Sequence, residues 1–147
     1  MTGSGTHAQM TYNRGRIDDA AAFAREHGAA SWLFLCGEEF ASMEGGLSYD
    51  DVEAAVSESA NVVSDPPVAM TMDLAREQVA ALDALPRPTL VTCRMGPRSS
   101  ALVYLYAGLR SDASADEVLA QAEKDDAPFT HSGELEAWVR RGLDELA

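Results

Sequence analysis

The chain has 147 residues, 46% of them hydrophobic and 24% charged, enough for one domain whose core needs neither disulfides nor a metal. Twenty-four acids against ten arginines and one lysine (Lys124) give a net charge of −13, a surface that repels nucleic-acid phosphates and anionic lipid, so neither is expected as a partner. No apolar run approaches bilayer-crossing length, and the polar opening "MTGSGTHAQMTYNRG" lacks the apolar stretch of a secretory signal, so the chain reads as cytoplasmic.

Along the chain, short apolar runs alternate with amphipathic segments, without repeats or an evident linker. Residues 1–12 read as a flexible lead into a single domain spanning 1–147. "IDDAAAFAREHG" (17–28) reads as a helix, with acids early and Gly28 as its stop. "SWLFLC" (31–36) reads as a buried strand and "GEEFASMEGG" as the loop after it. "SYDDVEAAVSES" (48–59) is a second helix in which Ser48 and Asp51 resemble a capping box. "NVVS" (61–64) is a short strand that "DPPV" cannot continue, because Pro66 and Pro67 have no amide to donate.

Leu74, Val79, Leu82 and Leu85 fall at helical spacing, which predicts a third helix over 71–85. "RPTLVTC" (87–93) is a strand, "SSALVYLYAGL" (99–109) a helix, and "SADEVLAQAEKD" (114–125) a helix with Ser114 as its N-cap candidate. An additional C-terminal helix over 132–147 packs Leu135, Trp138, Val139, Leu143 and Leu146. Strands alternating with helices predict an α/β fold, a mostly parallel sheet flanked by helices. Ligands in such folds sit beyond the carboxyl ends of the strands, where Cys93 and Cys36 are expected. The two cysteines read as thiols rather than a disulfide. His7, His27 and His131 lack ligand spacing, so neither a metal nor another cofactor is expected.

The segment "TCRMGPRSS" carries the chemistry. Consecutive amides in a tight loop form an anion-binding nest, and the N-terminus of the following helix adds unpaired amides and partial positive charge. A cysteine at the mouth of that nest is stabilised as thiolate and becomes nucleophilic. In this reading Cys93 is the nucleophile and Arg98 offers a bidentate fork to an oxyanion. Arg94, Met95, Gly96, Pro97 and Ser99 complete the loop that holds a small anion. Gly96 permits the turn and a close approach of backbone to ligand, and Ser99 caps the helix or bonds the sulfur. The competing reading is a buried cysteine filling a strand end. Such a residue needs neither the glycine, nor Arg98, nor the helix that starts at once.

"CRMGPRSSAL" resembles the C-R-x-G-x-R-S signature shared by rhodanese-type sulfurtransferases and the small phosphatase-like domains called beta-lactamase-hydrolase-like, or DUF442. The second resemblance extends further, through "FLCGEE", "SDPPV", "MTMDLAREQVAALDALPRPTLVTCRMGPRSSALVYLYAG" and "SADEVLAQAE" in the same order, over roughly residues 10–125. It implies a fold like that of the dual-specificity protein tyrosine phosphatases, with the cysteine loop between a central strand and a helix.

Two chemistries stay open. Tyrosine phosphatases of this fold place the arginine six residues after the cysteine, whereas here Arg98 is the fifth and Ser99 the sixth. The shorter loop makes a tighter nest, which favours a Cys93 persulfide formed from a thiosulfate-like donor, with Arg94 and Arg98 binding the anion. Thr92 stands where those phosphatases usually carry histidine. The alternative is phosphoester hydrolysis through phospho-Cys93, for which Asp65, 28 residues upstream, is the candidate general acid. Asp65-Pro66 is equally an ordinary strand-ending turn. A non-catalytic anion- or partner-binding module is the third reading. Cys36 is read either as core filler or as a thiol that resolves or accepts sulfur from Cys93. The sequence carries no indication of oligomeric state.

Overall fold

The strand that delivers Cys93 lies at the centre of a five-stranded sheet, in the order β1-β2-β5-β3-β4. The computed structural model describes residues 3–65 and 68–147, so Pro66 and Pro67 lie outside the described residues. The strands are β1 (Gly3–His7), β2 (Met10–Arg14), β3 (Ser31–Phe34), β4 (Glu58–Asn61) and β5 (Thr89–Thr92). β1 pairs antiparallel with β2, while β2, β5, β3 and β4 run parallel. The helices are α1 (Ala20–Glu26), α2 (Glu38–Ala41), α3 (Tyr49–Ala55), α4 (Met72–Ala84), α5 (Pro97–Arg110), α6 (Ala115–Lys124) and α7 (Gly133–Leu146). A 3-10 turn, Pro128–His131, precedes α7.

Side chains alternate across the central strands and build two hydrophobic clusters, one on each face. Trp32, Phe34 and Leu90 pack with Phe23 of α1 and Val52 of α3. Leu33, Leu35 and Val91 pack on the other face with α4, α5 and α7. Burial on both faces explains why "SWLFLC" and "TLVT" read as continuous apolar runs. α7 is part of this core, since Leu135, Trp138, Val139 and Leu143 are all buried in the larger cluster. It lies close on α5: a Cβ on Gly142 would stand 2.7 Å from Leu105 Cδ1.

Helix starts are capped as expected. Ser48–Asp51 and Ser114–Glu117 both form reciprocal capping boxes. Three elements depart from the sequence reading. Residues 3–14, of which 3–12 read as a flexible lead, form the β1–β2 hairpin. Its two-residue turn is Ala8-Gln9, with φ of 52° and 63°, so the Asn-Gly signal that usually marks such a turn is missing. β4 lies three residues earlier than the expected 61–64 strand; as an edge strand with exposed or half-buried side chains it carries little hydrophobic signal. The loop after β3 contains the four-residue α2, with Phe40 buried.

Candidate active site

β5 ends at Thr92, and Cys93 begins the loop into α5 at the carboxyl edge of the sheet. Thr92 is fully buried and accepts from Trp32 Nε1 at 2.8 Å, which anchors the strand end. α5 starts at Pro97, two residues before the expected position, because proline at the first helical turn sacrifices no hydrogen bond. Gly96 is its N-cap at φ +116°, and a Cβ there would lie 2.2 Å from the Asn13 carbonyl oxygen. Only glycine combines that backbone angle with that approach.

The loop turns its amides onto the sulfur. Gly96 N donates to Cys93 Sγ at 3.1 Å and Ser99 N at 3.3 Å. The sulfur also lies 3.4 Å from Ser99 Oγ as its donor. Ser99 Oγ in turn reaches Asn13 Oδ1 at 2.9 Å and the Gly96 carbonyl at 3.1 Å. With a single proton that hydroxyl donates to one acceptor at a time. Cys93 is 6% exposed, and Gly96 and Ser99 are buried around it.

Asn13, absent from the sequence-derived site, holds the loop. Its Nδ2 donates to the Cys93 and Gly15 carbonyls, both at 2.9 Å, and its Oδ1 accepts from Cys93 N at 3.1 Å. Met95 O accepts from Gly15 N at 2.7 Å, a second tie to the end of β2. The parallel register Tyr12↔Val91 brings Asn13 alongside the cysteine. No local motif could have found it, because it lies 80 residues upstream, just past the stretch read as flexible.

Cys93 opens into a cleft of about 420 Å3. Arg94, Met95, Pro97 and Arg98 from the loop and Asp65 from the segment after β4 line it, so the structure brings these sequence-derived candidates together. Ser132, Glu134 and Leu135, at the start of α7, form a wall that the sequence reading did not include. Asp65, 4% exposed, accepts from Gly37 N at 3.1 Å through Oδ1 and from Arg94 Nε at 3.1 Å through Oδ2. Arg94 Nη2 is 3.0 Å from the same Oδ2, close enough for an ion pair but without a hydrogen-bond partner of its own. The guanidinium carbon stands 5.5 Å from the Phe40 ring centroid. Arg98 Nη1 donates to Val68 O at 3.2 Å. Met95 is half exposed at the rim.

Cys36 does not line this cleft. It belongs to the cluster on the α1–α3 face, whereas Cys93 belongs to the α4–α5 face, and both are free thiols. Burial pushes the Cys36 thiol far above its ordinary range. The charges of Cys93 and Asp65 add to the rise and Arg94 opposes it. Among the described residues no helix is long and apolar enough to cross a membrane.

No protein-family model and no curated protein matches this sequence. Solved structures do match. Tk-PTP in its active form superposes with a TM-score of 0.74 at 12% identity, covering 97% of each chain. PTPMT1 in complex with PI(5)P gives 0.67 at 12% identity, over 93% of this chain and 91% of that one. A DUF442 protein from Shewanella putrefaciens CN-32 gives 0.67 at 14% identity, over 97% and 91%. Over nearly its whole length the chain therefore has the α/β, protein tyrosine phosphatase-like fold, shared with DUF442 proteins, that the cysteine-loop resemblance implied.

Proposed function

We propose that the protein is a cysteine-dependent phosphatase that hydrolyses small phosphomonoesters through a phospho-Cys93 intermediate. The observation that carries this reading is the common cleft of Cys93, Arg98 and Asp65. Sulfur transfer has no use for a carboxyl group in the nucleophile's cleft, whereas ester cleavage needs a proton donor for the leaving oxygen. The fold matches are phosphatases, which weighs the same way. The ranking of sulfur transfer first, drawn from loop length, is accordingly reversed.

In the proposed reaction the Cys93 thiolate attacks phosphorus. The sulfur–phosphorus bond forms as the phosphorus–oxygen bond breaks. Loop amides and Arg98 hold the phosphoryl oxygens, and Asp65 delivers a proton to the departing alkoxide. As found, Asp65 is an acceptor for Arg94 and Gly37, not a donor. In the proposed step Arg94 turns to the incoming phosphoryl oxygens, Asp65 takes up one proton from solvent in its place, and that proton passes to the leaving oxygen. Water then attacks phosphorus, passing its own proton to Asp65 as the thiolate leaves, and inorganic phosphate is the product.

One observation favours the second reading, a Cys93 persulfide: the arginine at the fifth position after the cysteine, with the compact loop it produces. The test measures phosphate release from an aryl phosphate together with intact mass after thiosulfate. Phosphate release lost in Cys93→Ser and reduced about 100-fold or more in Asp65→Asn is the expected result. Gain of one sulfur atom on Cys93 without phosphate release would overturn it in favour of sulfur transfer. Absence of both would leave an anion-binding module.

A further inference from the structure

The α7 wall brings one further charged side chain, Glu134, to the cleft. Four formal charges line the cleft: Arg94 and Arg98, Asp65 and Glu134. Arg94 and Asp65 are an ion pair in the free protein, and in the proposed reaction Arg94 is spent on the phosphoryl oxygens while Asp65 is neutral. What remains is Arg98, beside the nucleophile, and Glu134, on the facing helix. Glu134 is exposed, and none of the ion pairs among the described residues includes it. The Ser132 hydroxyl beside it is engaged, accepting from Leu135 N at 3.2 Å. A phosphoryl group seated on the Cys93 loop therefore meets cationic and amide donors on one side and an uncompensated carboxylate on the other.

We infer that Glu134 is a specificity residue, and that the preferred substrates are phosphomonoesters whose organic part carries an ammonium group. This rests on the phosphatase reading of the site. The phosphoryl dianion is held at the loop, and the leaving group extends toward Ser132, Glu134 and Leu135. An ammonium there gains an ion pair with Glu134, while Leu135, Met95 and Pro97 cover the carbon chain. A second phosphate or a carboxylate meets Glu134 with no free cation to offset it. The net charge of −13 acts in the same direction at longer range.

The experiment compares kcat/KM for three esters of similar size: O-phosphoethanolamine, ethyl phosphate and 2-phosphoglycolate. The expected order is ammonium over neutral over carboxylate, with about fivefold between neighbours, the size of an exposed ion pair. Glu134→Gln should bring the three values together, and Glu134→Lys should reverse the order. An identical ratio in wild type and Glu134→Gln, or a wild-type preference for the carboxylate ester, would overturn the inference. If no ester is turned over, the phosphatase reading fails and the charge preference is read from binding instead. The same three compounds should then protect Cys93 from iodoacetamide in the same order. Equal protection in wild type and Glu134→Gln would overturn the inference independently of catalysis.

Discussion

Asn13 grips the peptide of Cys93 from both sides, donating to its carbonyl at 2.9 Å and accepting from its amide at 3.1 Å. The same Oδ1 accepts from Ser99 Oγ, so one buried amide fixes the nucleophile and the first turn of α5 together. A side chain fully withdrawn from water and bonded on both ends is a rigid reference point.

Asn13→Ala leaves the Cys93 amide and the Ser99 hydroxyl without that partner. The expected cost is about 1–3 kcal/mol. Turnover and the alkylation rate of Cys93 should fall by more than stability alone explains. Asn13→Asp, of the same shape, loses the two donated bonds and places a carboxylate against the Cys93 carbonyl. Denaturant midpoints and iodoacetamide kinetics on both variants check this; wild-type alkylation in Asn13→Ala would refute the clamp.

Arg94→Ala strands a carboxylate whose side chain is 6% exposed. We expect a loss of about 2–4 kcal/mol, on the low side for a broken buried pair because Arg94 itself is 24% exposed. Arg94→Ala with Asp65→Leu should cost less than the two single changes summed, since no buried charge is left alone. Urea titration of the three variants measures the coupling, and strict additivity would show that the pair contributes nothing.

Gly96→Ala forces a non-glycine residue to φ +116° and its Cβ to 2.2 Å from Asn13 O. Strain of about 1–3 kcal/mol is expected, relieved only by moving the loop. Misplacing the amides that face Cys93 should lower turnover about 100-fold. Retained activity would mean that the loop does not need this geometry.

Cys36 should stay a thiol throughout the range where Cys93 is tested. At pH 7–9 iodoacetamide should label Cys93 in the folded protein, and Cys36 only after unfolding. Because the folded value is raised, the associated stability is fully present below the unfolded value near 9 and is lost as pH rises above it. Cys36→Ala should flatten that alkaline loss in pH-dependent denaturation.

The layered α/β architecture and the cysteine loop were legible in the sequence because both are local. Apolar runs such as 31–36 and 89–92 report strands buried on both faces, and Cys93, Gly96, Pro97, Arg98 and Ser99 are near neighbours whose order alone implies a nest before a helix. The β1–β2 hairpin was hidden because Ala8-Gln9 turns without glycine or asparagine. Tertiary structure alone decided which distant groups meet that loop. Asn13 arrives from 80 residues away through parallel register, and the Arg94–Asp65 pair spans 29 residues. Glu134 arrives because α7 packs on α5. Cys36 and Cys93 follow the ends of β3 and β5, and which core cluster each joins was likewise settled by the helices that cover the two faces of the sheet.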